Sequence, residues 1–303
     1  MQLSQIKTFL EVLETGSIVK AANHLHITQS TASSRIQQLE NEINQKLFTR
    51  THSGVKVLPA GLRFQPYALR ILQAWQQANQ DIILPEGFKG LFSLAIQATL
   101  WERFSSLWIA WMKINVPEYV LRVEADWSQR MMHNLSDGYL DIALTSVPHA
   151  VSGLKTEKLM DDPLILVSSS PLPLKECLGA NYIYIDWGPA FNEQHRLAFP
   201  NLDTPTLTVG LSDQALQIIL KEEGSAYLSL KSVNEKLEQG TLHRVAGAPQ
   251  LIVPLYLTYP ENHANPEILN LGLQGLRDLA SSMCKDYQDE DKRGNTGVFC
   301  EDS

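Results

Sequence analysis

Residues 17–58, SIVKAANHLHITQSTASSRIQQLENEINQKLFTRTHSGVKVL, constrain the fold more than any other stretch: two short helical patterns, a tight turn between them, then a strand pair. The second of these helices carries two opposed stripes. At about 100° per residue, Ala32, Ile36, Leu39 and Ile43 fall on one side, and Ser30, Ser33, Ser34 and Gln37 on the other. One face packs; the other is small and hydrogen-bonding. A helix that needed only solubility would carry Lys and Glu outward, whereas short polar side chains let a helix come close to base edges in a DNA groove.

The flanking residues complete the unit. A first helix is expected from Ser4, as N-cap, to Glu14, with Gly16 stopping it, and Ala21, Ala22 and Leu25 give a short second helix. Thr28 caps the third, which places Gln29 and Ser30 in an exposed first turn where backbone N–H groups also meet phosphate. Leu47, Phe48, Val55, Val57 and Leu58 around Ser53-Gly54 predict a β-hairpin wing, with Arg50 and Lys56 as phosphate contacts.

Charge supports the division. The chain carries −8 overall, which taken whole weakens a nucleic-acid reading, but residues 1–83 hold eight Lys and Arg against five Asp and Glu. The head is therefore +3 and the remainder −11. A mildly basic head on an acidic body fits a DNA-binding domain joined to a sensing or assembly domain.

From Pro59 the pattern becomes one long helix. Phe64, Ala68, Ile71, Trp75, Ala78 and Ile82 are spaced 4, 3, 4, 3, 4, a heptad seam suited to helix pairing; packing of the stripe on its own domain is the alternative. Pro66 predicts a kink, or a helix that becomes regular only after it. Leu84-Pro85-Glu86-Gly87 marks a hinge.

Beyond Gly90, strand and helix alternate. Strand-like runs at 91–96, 119–123, 141–145, 164–168, 182–186, 207–211, 226–230 and 251–258, with helices between several of them, predict an α/β domain with a mostly parallel sheet. A closing helix is expected at 264–287 and a disordered polar tail at 289–303. Three scattered cysteines, Cys177, Cys284 and Cys300, read as reduced thiols. No run of about 18 apolar residues and no secretory leader is visible, so a cytoplasmic protein that makes no membrane contact is expected.

These features together resemble the LysR-type transcriptional regulators over essentially the whole chain. Ala21-Ala22, Leu25, Thr28-Gln29-Ser30, Ser33, Ile36, Leu39-Glu40, Leu47-Phe48, Arg50 and Ala60-Gly61 stand at the family's spacing. Pro117, Gly138 and Leu140 to Ala143 match its second domain more loosely, and Ile185-Asp186-Trp187-Gly188-Pro189 with Ser34-Arg35 resembles an HdfR-like subgroup. The resemblance implies an N-terminal all-α winged helix-turn-helix at 1–58, a linker dimerisation helix and hinge at 59–88, and a periplasmic-binding-protein-like two-lobe effector domain at 89–288. Lobe 1 would span about 89–166 and 262–288, and lobe 2 about 167–261. It also implies a homo-oligomer, usually a tetramer. The chain departs from the family at Asn44, where Gly is common, and at Pro59, which suits a first helical turn; His52 and Ser53 replace frequent basic residues of the wing.

The candidate DNA contacts are then Gln29, Ser30 and Ser33, with Thr28, Thr31, Ser34, Arg35 and Gln37 beside them, and Arg50 and Lys56 on the wing. Gln29 suits a bidentate pair with adenine, and the serines suit phosphates. For an effector, Thr99 caps a helix directly after the first strand of the second domain, a ready anion site. Ala98, Leu100, Ser146, Trp187, Gly188, Ser212 and Asp213 join it. Asp186 and Asp213 would repel an anion unless offset, which leaves a neutral or cationic ligand open.

No Walker loop, dinucleotide fingerprint, nucleophile elbow or paired-His zinc motif occurs, so neither catalytic residues nor a cofactor or metal are expected. The expectation is a regulator whose paired helices read interrupted inverted repeats in double-stranded DNA and alter RNA polymerase access, with a small-molecule effector shifting lobe closure. The alternatives are an effector-independent architectural repressor or a small-molecule-binding protein.

Overall fold

The computed structural model describes residues 1–51, 54–82 and 84–292, and the chain divides into two compact units, the first formed by Met1–Leu84 with Ser136–Tyr139 and the second by the rest of the described residues. The first unit contains α1 (Leu3–Thr15), α2 (Ile18–His24), α3 (Gln29–Ile43), β1 (Phe48–Thr51), β2 (Gly54–Val57) and α4 (Pro59–Ile82). Ile6, Phe9 and Val12 of α1 meet Ala21, Ile36, Leu39, Leu47, Phe48 and Ala68 in one core. Phe9 sits between Phe48 and Phe64, at ring-centroid distances of 5.4 and 5.1 Å.

Helix starts and stops follow local chemistry. The start of α1 lies earlier than a Ser4 cap allows, because Gln5 Oε1 reaches back to accept from the Gln2 N–H at 2.6 Å. Thr28 caps α3 as expected, its Oγ1 accepting from the Thr31 N–H. Asn44 ends α3 at φ 53°, the left-handed conformation for which glycine is otherwise preferred and Asn is the next best residue. At the α1–α2 turn, Gly16 O accepts from the Val55 N–H at 3.0 Å, and a Cβ on Gly54 would lie 2.5 Å from that oxygen. Glycine at 54 thus lets the wing dock on the turn.

Helix α4 begins at Pro59 and runs without interruption through Pro66. This corrects the expectation of a helix regular only after that proline: one missing N–H is outweighed by the packing of Phe64, Ala68 and Ile71 against the core.

The second unit is built on β3 (Gly90–Gln97), α5 (Trp101–Asn115), β4 (Tyr119–Asp126), α6 (Ser128–Ser136), β5 (Ile142–Thr145), β6 (Leu154–Ser168), α7 (Leu174–Cys177), β7 (Ile183–Ile185), α8 (Pro189–Ala198), β8 (Leu207–Val209), α9 (Ser212–Glu222), β9 (Ser225–Ser229), α10 (Leu230–Glu238), β10 (His243–Arg244), β11 (Leu251–Pro260) and α11 (Pro266–Lys292). Its sheet is mixed, not mostly parallel. Among the described strands, parallel pairing joins β3 with β4 and β5, and β7 with β8, with one isolated parallel bridge between Tyr182 and Ser225. Strand β11 runs antiparallel to both β5 and β6, and β6 runs antiparallel to β9 and β10. The sequence hid this because the first half of β6, LKTEKLMDD, is half exposed and polar, so only its buried end at 164–168 reads as a strand.

Strands β6 and β11 pair over most of their length, so one long antiparallel ribbon spans the unit. Helix α5 packs on β3 and β4 and against α11, with Phe104, Trp108 and Met112 in the core, and the Trp108 Nε1–H donates to Gly272 O of α11. Helix α11 continues to Lys292, so residues 289–292, expected as tail, are helical; 293–303, with Cys300, lie outside the described residues. Among the described residues, Cys177 and Cys284 form no disulfide. Among the described residues no helix is long and apolar enough to cross a membrane.

Candidate functional site

The packing stripe of α3 is buried at Ala32, Ile36 and Leu39, which fixes the opposite face outward. Thr28, Gln29, Ser30, Ser34 and Gln37 are exposed, and Thr31, Ser33 and Arg35 are half-buried. The Thr28 hydroxyl also bonds the hydroxyls of Ser30 and Thr31, at 2.9 and 2.8 Å, so the polar first turn is ordered as a group. Arg35 turns partly away from this face, its Nη1 donating to Thr8 Oγ1 of α1. Arg50 and Lys56 are exposed on the wing, where Lys56 pairs with Thr49 and Arg50 with Val55. His52 and Ser53 lie outside the described residues.

Sequence reasoning missed how the wing is held. Glu40 is buried on α3, and its Oε1 accepts from the backbone N–H groups of Leu47 and Phe48 at 2.9 and 3.2 Å, while Oε2 accepts from Lys46 Nζ at 2.6 Å. A charged residue at the packing position directly after Leu39 was the available signal.

The heptad seam divides. Phe64, Ala68 and Ile71 belong to the core of their own unit, whereas Trp75, Ala78 and Ile82 are exposed, Trp75 at 51% and Ile82 at 79%.

In the second unit, Thr99 occupies a single 3-10 turn, Ala98–Leu100, and does not cap α5. Its hydroxyl instead accepts from Gln97 Nε2 at 3.2 Å. Gln97 Oε1 in turn accepts from the Ser146 N–H and Oγ–H, at 2.9 and 3.1 Å, and Ser212 Oγ donates to Thr99 O at 3.1 Å. Gly188, at φ 106°, comes so close to Ser146 that a Cβ there would lie 2.9 Å from its Oγ. Thr99, Ser146, Gly188 and Ser212 are therefore brought together, with Gln97 as the unforeseen centre. Thr99, Ser146 and Ser212 are linked through Gln97 and the Thr99 carbonyl, while the Gly188 N–H donates to Asp186 Oδ1. Ala98 is half-buried beside them, Asp213 is exposed at the start of α9, and Leu100 and Trp187 belong to the core, the Trp187 Nε1–H donating to Tyr227 O.

Next to this cluster lies a recess of about 340 Å³ between α5, α9 and α10. Arg103 of α5 lines it and pairs through Nη1 with the fully buried Asp162 of β6, which also accepts from Ser229 Oγ and Tyr287 OH at 2.8 and 3.2 Å. The Arg103 guanidinium stands 5.5 Å from the Trp187 ring centroid. Among the described residues its Nε and Nη2 have no hydrogen-bond partner. The sequence signal was an Arg beside Leu100, Phe104 and Trp108, inside the buried stripe of α5. No group of three or more His, Cys, Asp or Glu among the described residues is placed to hold a metal.

Comparison with known proteins agrees with both units. Residues 3–62 match the bacterial regulatory helix-turn-helix protein model of the LysR family, and residues 85–280 match the LysR substrate binding domain. The HTH-type transcriptional regulator HdfR of Salmonella schwarzengrund is 32% identical over 265 residues, covering 86% of this chain and 93% of that protein, and the Salmonella typhimurium HdfR gives the same figures. Among solved structures, ArgP from Mycobacterium tuberculosis superposes with a TM-score of 0.58 at 21% identity, covering 91% of this chain and 96% of that one. Full-length LysG from Corynebacterium glutamicum with bound effector Arg gives 0.57 at 18%, covering 93% and 99%. Residue motifs, domain models and fold coincide along the chain: it belongs to the LysR family of helix-turn-helix transcriptional regulators and is similar to HdfR within it.

Proposed function

We propose that this regulator works in the cytoplasm as a homo-oligomer, without catalytic activity, and reads interrupted inverted repeats through α3. The observation that carries this is the outward row of Gln29, Ser30, Ser33, Ser34 and Gln37 on a helix whose other face is locked into the core. Gln29 reads a base edge, the Thr28–Ser30–Thr31 group and the α3 N-terminus hold a phosphate, and Arg50 and Lys56 anchor the backbone from the wing. Self-association uses the uncovered half of the α4 seam, Trp75, Ala78 and Ile82, with Phe64, Ala68 and Ile71 fixing α4 to its own domain. Two heads then sit on half-sites about one helical turn apart, and four-chain assembly bridges such pairs. Ligand-driven movement of the lobes changes head spacing and with it RNA polymerase access.

The test is occupancy of fragmented genomic DNA by the purified protein at stated salt, with and without metabolite extract. Discrete peaks sharing an inverted repeat are expected; salt-sensitive binding without peaks refutes sequence-specific reading. In sedimentation, Trp75→Asp is expected to dissociate the dimer, and an unchanged dimer refutes the seam. One observation favours a second reading. The predicted effector residues bond one another, as expected of a lobe interface that only assembles the protein, and occupancy unaffected by extract would support that architectural role.

A further inference from the structure

A chain of side-chain hydrogen bonds runs from the start of α1 to the outward face of α3, and its direction is fixed at one end. The Gln2 backbone N–H, which can only donate, gives its hydrogen to Gln5 Oε1 at 2.6 Å. Gln5 is 2% exposed, so its amide is held with the oxygen toward Gln2 and the nitrogen toward α3, where Nε2 donates to Gln38 Oε1 at 3.2 Å. Glu42, an acceptor only, lies on the same side: its carboxyl is held below the ordinary carboxylate range by the Met1 amino group and, to a lesser degree, by a hydrogen bond from Gln5. With its oxygen taken by Gln5, Gln38 turns its nitrogen to Ser34, and Nε2 donates to Ser34 Oγ at 3.4 Å.

A hydroxyl that accepts still has its own hydrogen to give. Inside helices that hydrogen commonly returns to the carbonyl four residues earlier, as it does from Thr8 to Ser4 O and from Thr15 to Glu11 O, both at 2.7 Å. Ser34 does not do this: among the described residues its hydroxyl meets Gln38 alone, and it is exposed on the outward face. The same edge of α1 holds the next residue, because Thr8, fully buried, spends its hydrogen on Ser4 O and accepts from Arg35 Nη1 at 3.4 Å. We propose that Gln5 and Gln38 are positioning residues that make Ser34 a hydrogen-bond donor to DNA, aimed at an acceptor atom, either a phosphate oxygen or a base-edge acceptor, and not at the amino groups of adenine or cytosine. The inference rests on reading α3 as the recognition helix, and it adds what one residue of that helix selects.

The experiment is competition binding of the full chain to the operator recovered from the occupancy peaks, with Ser34→Ala, Gln5→Met and the double variant, each checked by a thermal melt. Loss of one hydrogen bond to DNA is expected to weaken Ser34→Ala about tenfold. Gln5→Met fills the same space without polarity and releases the hydroxyl among about three staggered positions, so it is expected to weaken binding about threefold in the wild-type background and not at all when residue 34 is already alanine. Gln38→Met, at an exposed position, carries the same expectation and serves where Gln5→Met does not fold. An equal loss in both backgrounds means general damage to α1 and overturns the proposal, as does wild-type affinity in Ser34→Ala. Operators with single altered groups then identify the contacted atom. A methylphosphonate, or a base lacking one acceptor, that abolishes the Ser34→Ala loss supports the donor role and says which source is used. Abolition by a base lacking its amino group makes Ser34 an acceptor and overturns the proposal, and so does abolition at no position. Wild-type protein without specific operator binding removes the recognition-helix reading together with this inference, whereas specific binding with an equal loss in both backgrounds removes this inference alone.

Discussion

Glu40 offers the sharpest test of how the DNA-binding unit is built. Glu40→Ala removes the acceptor of two buried backbone N–H groups, those of Leu47 and Phe48, at the point where the chain leaves α3 for the wing. Each orphaned buried donor costs about 1–3 kcal/mol, so the two together are expected to cost about 2–6 kcal/mol. The ion pair with Lys46 adds little, because the lysine is two-thirds exposed and such surface pairs are worth about 1 kcal/mol or less. Glu40→Gln keeps a carbonyl oxygen in the same place and is expected to lose about 1 kcal/mol, the difference between a charged and a neutral acceptor. Hydrogen exchange on the full-length protein reads this directly. The Leu47 and Phe48 amides should exchange roughly a hundredfold faster in Glu40→Ala, and only several-fold faster in Glu40→Gln. If Glu40→Ala costs less than about 0.5 kcal/mol, or if the glutamine variant is as damaged as the alanine one, then acceptor geometry is not what holds the wing.

Further expectations address the remaining parts. Lys56→Ala should weaken binding evenly across DNA sequences and reduce the salt slope by about one unit, whereas Gln29→Ala should relax the preference at one base position; the reverse pattern in competition binding would misplace both residues. Gly188→Ala forces a Cβ to within 2.9 Å of Ser146 Oγ at φ 106°, so calorimetry should show the second unit destabilised by about 1–3 kcal/mol, and an unchanged melt refutes the close approach. For His263, burial lowers the imidazole pKa, but the hydrogen bond and charge of Asp141 and the Asn265 carbonyl outweigh it and hold the pKa above 6.5. A raised folded-state pKa gives stability that is complete below 6.5 and is lost as pH rises through the folded value, so the wild-type advantage over His263→Gln should shrink over that rise; a constant advantage removes the linkage.

The first unit was readable from the sequence because its determinants are local. The α3 stripes, the Thr28 cap, glycine at 16 and the apolar alternation of the wing each act within a few residues. Where reading failed, a distant partner decided. Only Leu164 to Ser168 showed β6 as a strand, since its earlier half, LKTEKLMDD, is polar and half exposed and becomes a strand by pairing with β11, some ninety residues later. The α4 seam has one periodicity along its length, yet Phe64 and Ala68 meet Phe9 and the α1 core while Trp75 and Ile82 do not; spacing specifies a face, not what covers it.

The ligand region shows the same limit in chemical form. Thr99, Ser146, Gly188 and Ser212 were found from their places at strand ends, and they do converge, but polar residues that converge also satisfy one another, and Gln97 completes that closure. Satisfied donors have little to offer a ligand, since a newcomer must break a bond for each one it makes. The imbalance falls instead on Arg103, whose two unpaired nitrogens are sealed from solvent. Asp162 takes three donors, from Arg103, Ser229 and Tyr287, while the guanidinium gives Asp162 only one of its own. That surplus of buried donors exists only because β6, β9, α5 and α11 meet at one carboxylate. An arginine on the apolar stripe of α5 was visible from residue types alone, but its unpaired nitrogens follow from the three-dimensional accounting of partners.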